Sequence, residues 1–167
     1  KAADARGFLS HEHFTVDGTL LEAWASQKSF RRKDGTTPPP TDTDRKNPTV
    51  NFRGEKRSNM THESVTDPEA RLARKSKNTA ALLCHLGSVL MDNRHGLIVA
   101  TDVRSPAHDA ERDAAVELLT TLEPRARRRT LGADKAYDTV EFVADVRACQ
   151  TTPHVAPNIH ATRPKSA

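Results

Sequence analysis

Two acidic side chains stand where the sequence could carry metal chemistry. Asp17 follows residues 14–16 and Asp134 follows residues 130–133, both short runs that are largely apolar or β-branched and typical of strands. If the two strands lie side by side, their ends bring the carboxylates together, and like charges repel unless a cation lies between them. Oxygen ligands of this kind suit Mg²⁺. The pattern therefore predicts the type of metal site with which enzymes cut and join phosphodiesters.

Each acidic position also has a simpler interpretation. Asp17 and Gly18 could form a two-residue turn in a β-hairpin. Asp134 could be an ordinary loop residue ahead of a helix. Asp102 also ends a predicted strand, but that strand lies further from the centre of the expected sheet, so Asp134 is preferred as the second ligand. The eight histidines have no zinc-binding spacing.

The elements that must position these carboxylates follow from the hydrophobic pattern. Strands are predicted over residues 82–91 and 97–103, joined by a turn at 92–96 as an antiparallel hairpin. A helix is predicted from an N-cap at Ser105 to about Leu122, and a capping box of Asp138 and Glu141 starts a second helix. Residues 153–156 form a last short strand. The segment 13–24 is predicted to be a strand followed by a turn or short helix, with Trp24 as an anchor.

A long stretch between these elements differs in composition. Residues 29–80 are dense in charge, glycine and proline, and they predict a disordered or loop insertion of basic character. A solvated linker and a DNA-contacting arm are both compatible with it. The candidate DNA contacts are the basic residues of this stretch and two neighbours of Asp134: Arg31, Arg32, Arg53, Lys56, Arg57, Lys135 and Tyr137. For Lys135 and Tyr137, packing is an equal alternative.

Composition narrows the class of protein without deciding it. The 167 residues carry a formal net charge of +4, which permits binding to nucleic acid but is weak support alone. No apolar stretch is long enough to span a membrane, and no signal peptide is visible. Cys84 and Cys149 lack any CxxC spacing and are expected to be reduced thiols, as in a cytoplasmic protein.

An ordered series of motifs resembles the bacterial insertion-sequence DDE transposases. The matching segments cover nearly the whole chain in one register: VDGTL (16–20), EAWAS (22–26), KSF (28–30), FRGEKRSN (52–59), TH (61–62), DPEARL (67–72), Gly87, LMDNRHGL (90–97), AER (110–112), GADK (132–135), YD (137–138) and PHVA (153–156). One such motif would be a weak signal, whereas the ordered series is specific.

The resemblance implies a ribonuclease-H-like mixed sheet, with three antiparallel strands followed by parallel strands and crossover helices. It also implies DNA transposition, in which an Asp-Asp-Glu triad holds two Mg²⁺ or Mn²⁺ ions for strand cleavage and strand transfer at insertion-sequence ends. Asp17 and Asp134 match the first two carboxylates. Double-stranded DNA is the implied partner, a homodimer is compatible, and the implied location is the bacterial cytoplasm, at the nucleoid.

The chain departs from the family pattern in two respects. The third carboxylate belongs to a later helix that the 167 residues do not include, so they are expected to form a partial catalytic domain. Glu111 and Glu141 come too early in the chain to be good substitutes for it. Ala136 stands where the family usually has glycine. The alternative is therefore a catalytically dead remnant that binds DNA or metal weakly. A basic nucleic-acid-binding module of other ancestry requires the motif series to be coincidence.

Overall fold

The computed structural model describes residues 2–36, 57–76 and 78–157. Within these residues, 3-10 helices cover Gln27–Ser29 and Lys135–Tyr137. The helices are α1 (Ala2–Ala5), α2 (Ala110–Thr120) and α3 (Val140–Ala148), and the strands are β1 (His13–Glu22), β2 (Phe30–Arg32), β3 (His62–Ser64), β4 (Arg71–Ala73), β5 (Leu82–Asp92), β6 (Leu97–Arg104), β7 (Arg129–Ala133) and β8 (Thr151–Val155).

The chain divides into two compact units. The first comprises Lys1–Thr19, Gly87–Val103 and Ala107–Ala167, and the second comprises Leu20–Leu86 and Arg104–Pro106. The division falls inside β1, β5 and β6. In the described part of the chain, no helix has the length and apolar character that crossing a membrane requires.

The sheet of the first unit mixes parallel and antiparallel strands. Its order is β6–β5–β1–β7–β8, so β1 lies at the centre. β1 and β7 run parallel, as do β7 and β8. The amide of Asn93, which follows β5, donates to the carbonyl of His13 at the start of β1, as expected for antiparallel neighbours. This mixed α/β architecture is compatible with the predicted ribonuclease-H-like fold.

One face of this sheet forms the main core. Phe14 and Val16 of β1 are buried, together with Leu131 of β7. Leu118 of α2 and Phe142 of α3 belong to the same cluster. Because strand side chains alternate between faces, Asp17 lies on the face opposite to that of Phe14 and Val16. The sheet therefore separates Asp17 from the apolar core.

Both helices start later than the sequence predicts, and their caps differ. The predicted cap Ser105 donates its hydroxyl to the carbonyl of Glu69 instead, and α2 begins only after Asp109. The predicted capping box of Asp138 is also wrong. Thr139 is the N-cap of α3, and its hydroxyl oxygen accepts from the amide of Phe142 at 3.2 Å. In each case the N-cap is a polar residue further along the chain, namely Asp109 for α2 and Thr139 for α3.

The second unit shows that parts of the predicted insertion are ordered. β2 and β3 pair antiparallel, and β4 pairs antiparallel with β5. Phe30, Ala70 and Leu83 form a small buried cluster, and the hydroxyls of Ser29 and Ser64 are hydrogen bonded at 2.8 Å. A disordered or loop character across all of residues 29–80 is therefore wrong at both ends of that stretch. Residues 37–56 and residue 77 lie outside the described residues.

Candidate functional site

Asp17 is held at an exposed position near the middle of β1. Its flanking partners Phe14 and Val16 are anchored in the core, so the backbone that carries Asp17 is fixed. Its Oδ1 accepts a hydrogen bond from the amide of Gly18 at 2.9 Å. The carboxylate therefore uses one oxygen locally and presents the other at the surface of the sheet.

Asp134 comes directly after β7 and is also exposed. It is the N-cap of the 3-10 helix Lys135–Tyr137, and its Oδ1 accepts from the amide of Ala136 at 2.7 Å. Capping of this kind fixes the rotamer of a short acidic side chain because the acceptor must face the helix start. Asp134, like Asp17, has one oxygen engaged by its own loop.

The two aspartates belong to neighbouring parallel strands, since Asp17 lies in β1 and Asp134 follows β7. In the parallel pair, His13, Phe14 and Thr15 of β1 lie opposite Thr130, Leu131 and Gly132 of β7. The pairing ends there, two residues before Asp17 in β1 and two residues before Asp134, which follows β7. Asp102, the rival candidate, lies on β6, which pairs with β5 and not with either of these strands.

The charges of both aspartates affect the pKa of the buried Tyr137 hydroxyl. Tyr137 is only 1% exposed and packs against Phe142, with ring centroids 5.1 Å apart. Burial raises the pKa of its hydroxyl first, and the nearby charges of Glu111, Asp17 and Asp134 raise it further. The charges of all three carboxylates therefore act on this one hydroxyl. The hydroxyl makes no hydrogen bond of good geometry within the described residues, although the Glu111 carboxylate is close enough to act on it.

Glu111, which comes too early in the chain to match the third carboxylate of the family pattern, lies close to β1. It lies in the first turn of α2 and is half-buried. A Cβ built on Gly18 would lie 2.9 Å from both Cγ and Cδ of Glu111, so the two residues are in close contact. Chain order argued against Glu111, but a helix that follows an antiparallel hairpin can begin close to the strand ends. The position of α2 directly after the hairpin of β5 and β6 was the feature of the sequence that could have indicated this contact.

The oxygen atoms of this group suit a hard divalent cation, although they are not arranged around one. In the described ranges, no three side chains of the metal-binding types are positioned to hold an ion together. The fit instead rests on the donors themselves, because Asp17 and Asp134 each keep one carboxylate oxygen beyond its local hydrogen bond. Mg²⁺ commonly uses one or two carboxylates and fills its remaining positions with water and phosphate oxygens.

The predicted basic contacts are distributed unevenly. Lys135 is exposed in the 3-10 helix next to Asp134. Arg31 is exposed on β2, whereas Arg32 pairs with Asp34 through its guanidinium. Hydrogen bonds from Thr36, and then the contact with Arg32, lower the pKa of Asp34 to about 2. The charge of Arg32 is therefore already compensated.

The other four predicted DNA contacts differ in their surroundings. Arg57 donates to the carbonyl of Gln27 at 3.2 Å, which ties it to the 3-10 helix of the second unit. Arg53 and Lys56 lie outside the described residues. Tyr137, which the sequence left open between a phosphate contact and a packing role, is a buried core residue in this structure.

Comparison with known proteins identifies the family. The sequence model of the transposase DDE domain family matches residues 10–165, which is most of the chain. The chain therefore belongs to the transposase DDE domain family. Searches of curated proteins and of solved structures find no significant match. The family supports a function in transposition, with DNA as the partner, and its members generally use divalent metal ions.

Proposed function

We propose that this chain carries the acidic centre for metal-dependent cleavage and transfer of DNA strands, with Asp17 and Asp134 as the metal-ligating pair. The observation that supports the proposal is the parallel pairing of β1, which carries Asp17, with β7, which directly precedes Asp134. Both are exposed, so a phosphodiester can reach them. The proposed setting is a bacterial insertion sequence, acting at the nucleoid, with a homodimer as a compatible assembly.

Asp17 and Asp134 would hold Mg²⁺ or Mn²⁺ through the carboxylate oxygens that do not accept the local hydrogen bonds. When bound, divalent ions supply the charge that activates a water or a DNA 3′-hydroxyl and stabilises the leaving oxygen. The hydrogen bonds from Gly18 and Ala136 fix the orientation of the two carboxylates before any ion binds. Such preorganisation avoids an ordering penalty when the ligand arrives.

Two further side chains have separate proposed roles. Lys135 places an exposed ammonium beside Asp134, where it can contact a phosphate of the bound DNA. Tyr137 stays neutral because its pKa is raised, so it acts as a hydrogen-bond donor and not as a base. The basic residues of the second unit that the structure describes, Arg31, Arg32 and Arg57, would add contacts to the DNA backbone.

Isothermal titration calorimetry with Mn²⁺ and a plasmid-nicking assay test this proposal. We expect the 167-residue chain to bind Mn²⁺, and Asp17→Asn or Asp134→Asn to weaken that binding about 100-fold or more, since outer partners of metal ligands alone already contribute 10- to 100-fold. Asp102→Asn is the control and should bind as the parent does. Unchanged affinity in both aspartate variants would overturn the site.

The nicking assay separates the two functional alternatives. Cleavage of supercoiled DNA in Mn²⁺ that is abolished by a chelator and by Asp17→Asn supports an active centre. Metal binding that depends on Asp17 and Asp134, without cleavage, supports a catalytically dead remnant. The second alternative follows from the family's third carboxylate, which the motif match does not assign to any residue of the chain.

A further inference from the structure

Exposed arginines gather at the edge of the first unit's sheet where β1, β7 and β8 begin. Three of them belong to the connection from α2 to β7, one to the turn between β5 and β6, and one to the last turn of α3. We call this group the basic rim: Arg125, Arg127, Arg128, Arg94 and Arg147. Acidic residues outnumber basic ones in the first unit as a whole, so the positive charge of the rim is a local feature.

Glu12 joins arginines from two separate segments of the rim. Its carbonyl accepts from the amide of Thr130 at 2.8 Å, which fixes Glu12 beside the start of β7. One carboxylate oxygen accepts from the guanidinium of Arg94 at 2.9 Å, and the other lies 3.8 Å from the guanidinium of Arg127. The turn that carries Arg94 is fixed as well, because the buried carboxylate of Asp92 accepts its amide at 3.0 Å. One carboxylate thus lies between two guanidinium groups and can neutralise only one of them.

The connection that carries the other arginines is held in place at both ends. The buried guanidinium of Arg129 donates to the carbonyl of Glu123 near the start of the connection. Arg128, near its end, donates to the carbonyl of Arg147 at 3.2 Å. The exposed guanidinium groups therefore project from an anchored backbone.

Nearby acids do not compensate the charge of the rim. Within the described residues, the side chains of Arg125, Arg128 and Arg147 make no ion pair with a carboxylate. Glu12 is shared by the remaining two arginines. Burial lowers the pKa of the Arg129 guanidinium first, and the neighbouring charge of Arg125 lowers it further. Like charges held this close repel each other, and a polyanion with closely spaced phosphates relieves that repulsion.

A solvated basic surface is the competing explanation. Arg147 could serve only the last turn of α3, where a positive charge interacts favourably with the helix dipole. That explanation does not account for two guanidinium groups from separate segments that meet at Glu12, or for the hydrogen bonds that anchor the connection. All members of the rim are arginines, and a guanidinium binds a phosphate group through two parallel hydrogen bonds.

We propose that the basic rim is a further DNA-contacting surface, which binds the phosphate backbone of double-stranded DNA without reading its sequence. The inference rests on the proposed function in that DNA is the substrate, but it does not involve the metal site. From Glu12 to Asp17 the chain runs about 16 Å along β1, the length of about five base pairs of duplex. The rim therefore holds DNA that flanks the cleaved bond.

Fluorescence anisotropy of a labelled duplex of arbitrary sequence, measured in EDTA over a range of salt concentrations, tests the rim without metal or activity. The double variant Arg94→Ala/Arg127→Ala should bind about tenfold or more weakly at moderate salt. Its slope of log affinity against log salt should fall by about 1.8, since each phosphate contact contributes about 0.9. Arg94→Lys/Arg127→Lys keeps both charges and should retain most of the slope.

Glu12→Gln provides a readout that a purely structural role would not produce. It removes the carboxylate that competes with phosphate for the two guanidinium groups, so DNA affinity should rise about two- to fivefold, as expected from the strength of exposed ion pairs. Glu141→Gln is the matched control. It removes the same charge from an exposed position at the opposite end of α3 from Arg147, and it should bind DNA as the parent does.

The outcomes separate this inference from the proposed function. If the double alanine variant keeps the parent's affinity and slope, the rim is not a DNA contact. If that variant loses affinity while the parent binds no Mn²⁺, the rim stands and the metal site is wrong. A parent that binds no duplex overturns both. A single strand that binds as tightly, with the same dependence on the rim, overturns the assignment to duplex DNA. Thermal unfolding checks that the double alanine variant is folded. Should it unfold, Glu12→Gln decides, and parent-like affinity in that variant overturns the rim.

Discussion

The carboxylate of Glu111 lies so close to Gly18 that no side chain fits between them. We predict that Gly18→Ala lowers the free energy of unfolding by about 1 kcal/mol, because the atoms nearest to the new Cβ all belong to the flexible Glu111 side chain, which must move aside. Chemical denaturation measures the change. Combining Gly18→Ala with Glu111→Ala should recover most of the loss, since the second substitution removes the atoms that collide.

Gly132→Ala is the control for that substitution. A Cβ at position 132 would lie 3.4 Å from the hydroxyl oxygen of Thr15 and would touch little else. Its effect on unfolding should therefore stay within about 0.5 kcal/mol, as for most substitutions that neither open a cavity nor cause a clash. Equal destabilisation by the two alanines would contradict the close contact at Gly18.

Asp92 is predicted to make the first unit sensitive to acid. It is fully buried, and burial alone would raise its pKa, but hydrogen bonds from Ser10, His11 and Arg94 outweigh burial and lower it. Ser10 donates both its amide and its hydroxyl to the same oxygen at 2.8 Å. A lowered pKa means that this stability is present above the ordinary value of 3.8 and is lost as the pH falls through the lower, folded value.

Substitution of Asp92 checks that linkage. Asp92→Ala should lower the free energy of unfolding by about 3 kcal/mol at neutral pH, because several buried donors lose their acceptor. Asp92→Asn keeps one acceptor oxygen and should lose less. Denaturation midpoints measured between pH 3 and pH 7 should show a shallower acid dependence in both variants than in the parent.

The single tyrosine allows a direct test of its environment. Because the chain has one tyrosine, absorbance at 295 nm follows Tyr137 alone. Its pKa is raised above the ordinary 10.0, so the stability linked to it is complete below pH 10 and falls as the pH rises toward the folded value. We expect tyrosinate to form only together with alkaline unfolding. Titration near pH 10 in the folded chain would show that the hydroxyl is solvated.

Salt dependence is the expected signature of DNA binding by the second unit. Each phosphate contact contributes about 0.9 to the slope of log affinity against log salt. Arg31→Ala should reduce the slope, whereas Arg32→Ala should reduce it less because Asp34 already neutralises that charge. The chain has one tryptophan, Trp24, which is 99% exposed, so its fluorescence can report DNA binding. A slope that is unchanged in Arg31→Ala would contradict the contact.

The pairing of β1 with β7 could be predicted because it depends on the order of strands and helices along the chain. A strand, a hairpin, a helix and a further strand place the last strand next to the first, and the structure pairs β7 with β1. Glu111 was harder to find because its proximity to Gly18 depends on where α2 begins. The predicted start at Ser105 was wrong, and the true start follows Asp109.

The prediction for Trp24 failed for a different physical reason. A large aromatic side chain in a region of low aromatic content is usually buried, and it was predicted to be an anchor. Ala23 and Ala25 instead pack against the small core of the second unit, which turns the residue between them outward. The small apolar residues on both sides of Trp24 indicated that its own side chain points outward. The prediction gave more weight to the size of the tryptophan side chain.

Because the Asp134 carboxylate accepts a hydrogen bond from the amide of Ala136, this one side chain has both a structural role and a proposed chemical role. The same carboxylate that is proposed to face the ion also closes the turn that follows β7. An alanine at this position removes both contributions together, so lost activity there would say nothing about which one mattered. Asparagine retains an acceptor for the turn while discarding the charge, and it is therefore the replacement that tells scaffolding apart from chemistry.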